Sequence, residues 1–68
     1  MKPLNFREVE RLLRAHGFVL DHSRGSHFIW INPDTGRTVP VPHHGNGPLK
    51  QGTLISIFDH AGMPRPQR

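Results

Sequence analysis

HFIWINPDTGRTVPVP, residues 27–42, carries the decisive pattern of the chain. HFIWIN, residues 27–32, is dense in β-branched and aromatic side chains and reads as a strand. Asn32-Pro33-Asp34-Thr35-Gly36 has the proline, Asx and glycine chemistry of a tight turn. RTVPVP then resumes an extended pattern over residues 37–42. Successive N–H groups along a strand point to opposite edges, so Pro40 and Pro42, two apart, remove donors from one edge only. Val39 and Val41 keep theirs for pairing. The strand over residues 37–42 therefore belongs at an edge of the sheet, with residues 27–32 beside it.

Working outward, FVLDH over residues 18–22 is short and β-leaning, and SRGS over residues 23–26 is a turn, so a third strand joins the second as a hairpin. Upstream, Asn5 followed by Glu8 is a capping-box start; Phe6, Val9, Leu12 and Leu13 share one helical face, and Gly17 supplies a left-handed stop. This predicts a helix over residues 6–16 with Arg7, Glu10, Arg11 and Arg14 on its solvated side. Downstream, HHGNGPLKQG is a glycine-rich loop. Thr53 is placed to cap a second helix whose Leu54, Ile57, Phe58 and Ala61 follow the i, i+3, i+4, i+7 rule, with Gly62 and Pro64 ending it. MPRPQR at the end reads as frayed, leaving Arg65 and Arg68 free.

The order is α-β-β-β-α without repeats or linkers. It predicts an α+β fold, a three-stranded antiparallel sheet with two helices on one face, in a single domain over residues 1–68 with an ordered core of about 5–63. Since HFIWIN is apolar at both alternating sets, either Phe28/Trp30 or Ile29/Ile31 must face away from the helices as a contact surface. Periodicity does not choose between them.

At 68 residues the chain is near the lower limit for a lone core, burying only roughly 60% of its unfolded surface. It has no cysteine, which excludes a disulfide framework, a thiolate zinc site and a cysteine nucleophile, and fits a reducing compartment. MKPLNFREVE lacks an apolar signal region, and no run approaches the roughly 20 apolar residues of a membrane span. The expected location is the cytoplasm. Nine Lys and Arg against five Asp and Glu give +4 with His neutral, which favours a polyanion such as nucleic acid as partner.

Six histidines supply groups that can give and take protons near neutrality. His16 and His60 sit at helix ends and His22 at a strand end, positions suited to structural roles. His43 and His44 could in principle meet His27 around a metal, but there is no HExxH, no His-x-His strand pair and no nearby carboxylate pair, so neither a metal nor another cofactor is expected. Trp30 could stack on a base, although burial in the core or under a partner is the simpler expectation.

RGSHFIWINPDTG, VPVPHHG and LKQGTLISIFDHAGM, in this order, resemble the HicA-like toxins (YcfA family), small messenger-RNA interferases of bacterial toxin–antitoxin pairs. The specific parts are the Gly25-Ser26-His27 turn, the Val41-Pro42-His43 strand end and the Gly52-Thr53-Leu54 helix start. The resemblance implies a double-stranded-RNA-binding-domain-like fold, a catalytic histidine in the Gly-Ser-His motif, here His27, and a HicB-type antitoxin that masks the toxin. The chain departs from the family pattern at Gln51, Ile55 and Asp59, where basic residues are common.

The chemistry of such a reaction asks for little. RNA carries its own nucleophile, the 2′-hydroxyl, so an enzyme need only move protons and stabilise charge on phosphorus, without a metal. His27 is the candidate acid or base. Arg24, Ser26 and Lys50 are candidates to hold phosphate, Gly25 to permit the turn, and His43 and His44 to contact phosphate or serve as a second proton-transfer group. The alternative is a non-catalytic RNA-binding module on the same scaffold. On either reading, affinity for RNA should fall linearly in log–log form as salt rises, because phosphate contacts release counterions. A flat response in a salt titration of binding would contradict the polyanion reading.

Overall fold

A computed structural model of the chain describes residues 2–43, 45 and 47–65. Its elements run α1 (Phe6–Ala15), β1 (Val19–Arg24), β2 (His27–Ile31), β3 (Thr38–Pro42) and α2 (Gln51–Ala61). The sheet is antiparallel in the order β1-β2-β3, so β3 lies at an edge as its prolines require. Phe28 pairs with Val41 and Trp30 with Val39, while Pro40 and Pro42 stand opposite Ile29 and His27.

Both helices cover the same face. Phe6, Val9 and Leu13 of α1 and Leu54, Ile57, Phe58 and Ala61 of α2 form one cluster with Phe18, Trp30, Val39 and Val41. Trp30 is 0% exposed and is covered on one side by the Arg14 guanidinium, 5.1 Å from the ring centroid. This answers what periodicity left open: Phe28 and Trp30 face the helices, and Ile29 and Ile31 face away. Trp30 is accordingly a core residue with no face left for a base.

Local chemistry sets the ends of α1. Asn5 accepts from the Glu8 amide and Glu8 from the Asn5 amide, both at 2.9 Å, completing the capping box. Leu4, just before the cap, is 5% exposed and joins the same core cluster as Val9. The second helix starts earlier than Thr53 suggests. Lys50 is its N-cap without a side-chain cap bond, and the Leu54 amide donates to the Lys50 carbonyl at 3.0 Å to close the first turn. Tertiary contacts fix this start. The Leu49 amide donates to Leu4 at 2.8 Å, and Asn5 bridges Pro48, so the chain arrives already tied to the N-terminal segment.

Two further expectations are corrected. The first strand runs on to Arg24 instead of stopping at His22, because only two residues are needed to turn into β2. Arg65 is not free: its guanidinium donates to both Asp59 carboxylate oxygens at 3.0 Å. Arg68 lies outside the described residues. Among those described, no helix is long and apolar enough to cross a membrane.

Asn32 joins the second hairpin to the end of α1. It is 8% exposed; its side chain donates to the His16 carbonyl at 3.2 Å and accepts from the Asp34 amide at 2.9 Å. Removing a buried partner of this kind costs about 1–3 kcal/mol. In a domain of this size each kcal/mol moves the melting midpoint by roughly 4–8 °C. Asn32→Ala should lower Tm by at least about 4 °C in a calorimetric scan, and an unchanged Tm would contradict the assigned role.

Candidate active site

The β1–β2 connection is two residues, Gly25 and Ser26, flanked by the pair Arg24–His27. Gly25 has φ +56°, the sign that both turn types compatible with a twisted hairpin demand at this position. An added Cβ would meet nothing within 4 Å, so the dihedral alone calls for glycine. The turn is held from the other side too. The His43 amide donates to the Ser26 carbonyl at 2.8 Å, carrying the β2–β3 ladder one step past the strands.

Side-chain direction then sorts the candidates. Paired strand residues share a face, so His27 lies with its partners Arg24 and Pro42, and with Ile29 and Ile31, on the side away from the helices. Arg24 and His27 are both exposed. Beside them on β1 is His22, opposite Ile29. Its Nδ1 donates to Oδ2 of Asp21 at 2.7 Å, with the two side chains 49% and 53% exposed.

A β-bulge brings this about. Counting back from the two-residue turn puts His22 on the His27 face, whereas counting forward from buried Phe18 through Leu20 would put it on the helix side. The register shift between Leu20 and His22 reconciles the two by leaving Asp21 as the extra residue. Leu20 thereby stands opposite Trp30 and His22 opposite Ile29. His22 was expected to be a strand-ending structural residue; it is instead mid-strand and on the candidate face. No glycine or proline marks the bulge, and simple alternation misplaces the side chain.

The remaining candidates lie elsewhere. The His43 ring is on the helix side, stacked on Phe6 with centroids 4.2 Å apart at 24° and edge-on to Phe28 at 6.0 Å. The structure brings its backbone to the turn and not its imidazole to His27. Lys50 lines an open cleft of about 380 Å³ with Pro42, Gly45, Gly47, Pro48, Leu49 and Thr53. Pro42 is the cross-strand partner of His27, so this cleft adjoins the same corner. His44 lies outside the described residues. His16 and His60 bond the carbonyls of Leu12 and Ser56 through Nδ1, at 2.9 and 2.8 Å, in keeping with helix-end roles. At the positions where the chain departs from the resembled pattern, Gln51 is exposed, Ile55 half-buried and Asp59 engaged with Arg65.

One corner of the sheet thus gathers imidazole and guanidinium groups, and Lys50 lines a cleft that reaches Pro42. Such a set can move protons and neutralise a phosphate. Among the described residues no three His, Asp or Glu side chains are grouped so as to hold a metal ion. In comparison with known families, residues 6–63 match the model described as the HicA toxin of bacterial toxin-antitoxin systems. No curated protein matches the chain.

Proposed function

The chain belongs to the HicA toxin family, and from that premise we propose that it is an RNA endonuclease, an mRNA interferase acting through His27 and neutralised by a HicB-type antitoxin. The observation that carries this reading is the placement of His27: exposed, at a two-residue turn, directly opposite Arg24, on the sheet face that neither helix covers.

In the proposed reaction the RNA 2′-oxygen attacks the adjacent phosphorus and the P–O5′ bond breaks. His27 moves one of the two protons involved. Arg24 offers a fork of donors to the phosphate oxygens, with Ser26 beside it, and Gly25 keeps the approach to the turn clear. Lys50 adds a cation across Pro42, where it steers the strand rather than the chemistry. His43 has its ring turned to the helices and is given at most a phosphate-contacting part, and His44 is assigned the same. No metal is required, because the nucleophile is in the substrate and the charge on phosphorus can be met by cationic side chains.

The uncovered sheet face also supports the antitoxin reading. Val19, 51% exposed, lies with Ile29, Ile31 and Pro40 on the His27 side of the sheet. A protein seated on that apolar strip would cover His27 at the same time. We place the encounter with messenger RNA in the cytoplasm.

Purified protein incubated with RNA in excess EDTA tests the proposal against the binding-module alternative. The wild type should cleave, and His27→Ala should lose about 10²–10⁴-fold in rate while retaining RNA. RNA retention without cleavage by either protein would favour the non-catalytic module instead.

A further inference from the structure

Cleavage by the 2′-hydroxyl moves two protons. One leaves O2′ as it bonds to phosphorus, and one arrives at O5′ as the P–O5′ bond breaks. The two oxygens lie on opposite sides of the phosphorus in an in-line displacement, so His27 alone does not reach both. A second group must stand on the same face, displaced by several ångströms.

We propose that His22, held by Asp21, is that second proton-transfer group; the inference rests on the nuclease reading above. Three observations support it. His22 pairs with Ile29 and His27 with Arg24, which makes the two histidines diagonal neighbours on one face, a relation that separates residues by roughly 7–8 Å in an antiparallel pair. Arg24, on the same face, neighbours both, opposite His27 and two residues along β1 from His22, and is placed for the phosphate they would flank. Finally, Asp21 takes up Nδ1 of His22 at 2.7 Å, which leaves Nε2 as the nitrogen for proton transfer, as a carboxylate does for a catalytic imidazole.

The other imidazoles among the described residues are directed elsewhere. The His43 ring stacks on Phe6 on the opposite face, and His16 and His60 bond helix carbonyls. Among the described residues, His22 is the other imidazole on the His27 face. The bulge at Asp21 then has a use beyond shifting the register, since it sets carboxylate and imidazole side by side at the face where the chemistry would occur.

In balanced form, one imidazole accepts the 2′-hydroxyl proton while the other, as imidazolium, delivers its proton to O5′. The products are a 2′,3′-cyclic phosphate and a 5′-hydroxyl end. The two rings finish with protonation exchanged, and water restores them. Asp21 is a positioning residue, acting through His22. Among the described residues, the charged and titratable groups sharing this face with His22 are Asp21, Arg24 and His27; β3 contributes only Thr38, Pro40 and Pro42, and no helix packs here.

The test follows the initial rate of RNA cleavage against pH for the wild type, His22→Gln, Asp21→Asn and His27→Ala, with RNA retention and Tm measured in parallel. The wild type should give a bell-shaped profile. His22→Gln should lose about 100-fold or more in rate and one limb of the bell, with RNA retention and Tm unchanged because the side chain is half exposed. Asp21→Asn should lose less and displace the same limb. If His22→Gln failed to fold, Asp21→Asn alone would decide: a displaced limb supports the proposal and an unchanged profile overturns it. A His22→Gln rate within threefold of wild type with both limbs intact, while His27→Ala is inactive, overturns the role of His22 and leaves the nuclease reading standing. No cleavage by the wild type overturns both.

Discussion

Trp30 is the largest side chain in the core and has no exposed surface, and its burial fixes the orientation of everything on β2. A strand alternates, so once Trp30 and Phe28 turn toward the helices, His27, Ile29 and Ile31 must turn away. The prolines of β3 add the second constraint, because they allow pairing on one side only and keep β2 central. Burying an indole of this size contributes roughly 1.5–3 kcal/mol or more, while slipping the register by one residue would expose it and flip His27 into the helix side. Stability and presentation of the imidazole are thus set by the same alternation.

The corner around His27 depends on several short-range devices acting together. Gly25 closes the hairpin in two residues, the His43 amide anchors the turn from β3 through Ser26, and the capping box of α1 with Leu4 and Leu49 ties the N-terminus to the loop before α2. None of these is strong alone. Their joint effect is to hold Arg24, His27 and the Pro42 edge on rigid strands, with only the Lys50 cleft contributed by a loop. A site on strands is better ordered than one on loops, which suits chemistry requiring two proton transfers and a phosphate held in line.

Much of this was legible in the residues. The Asn5–Glu8 pair marked the start of α1, the paired prolines placed β3 at the edge, and the Gly25-Ser26-His27 turn pointed to the hairpin tip. Two features were not legible, for physical reasons. Alternation is symmetric, so HFIWIN on its own does not say which set faces the helices; that is decided by the volume the two helices leave for Trp30. A bulge has no obligatory residue type, and the conflict between the register from Phe18 and the register from Gly25 became visible only once the pairing was known. The start of α2 was misplaced because Thr53 has cap chemistry, yet the chain is already committed to the helix by its ties at Pro48 and Leu49 to the N-terminal segment.

The central claim is that the sheet face away from the helices, around Arg24 and His27, receives the RNA phosphate. It is tested most directly by an NMR titration of the protein with an uncleavable RNA analogue lacking the 2′-hydroxyl at one position. The account predicts the largest shift changes at His22, Arg24, Ser26 and His27. Changes confined to Arg7, Arg11 and the outer side of α1, with the His27 ring undisturbed at saturation, would contradict it.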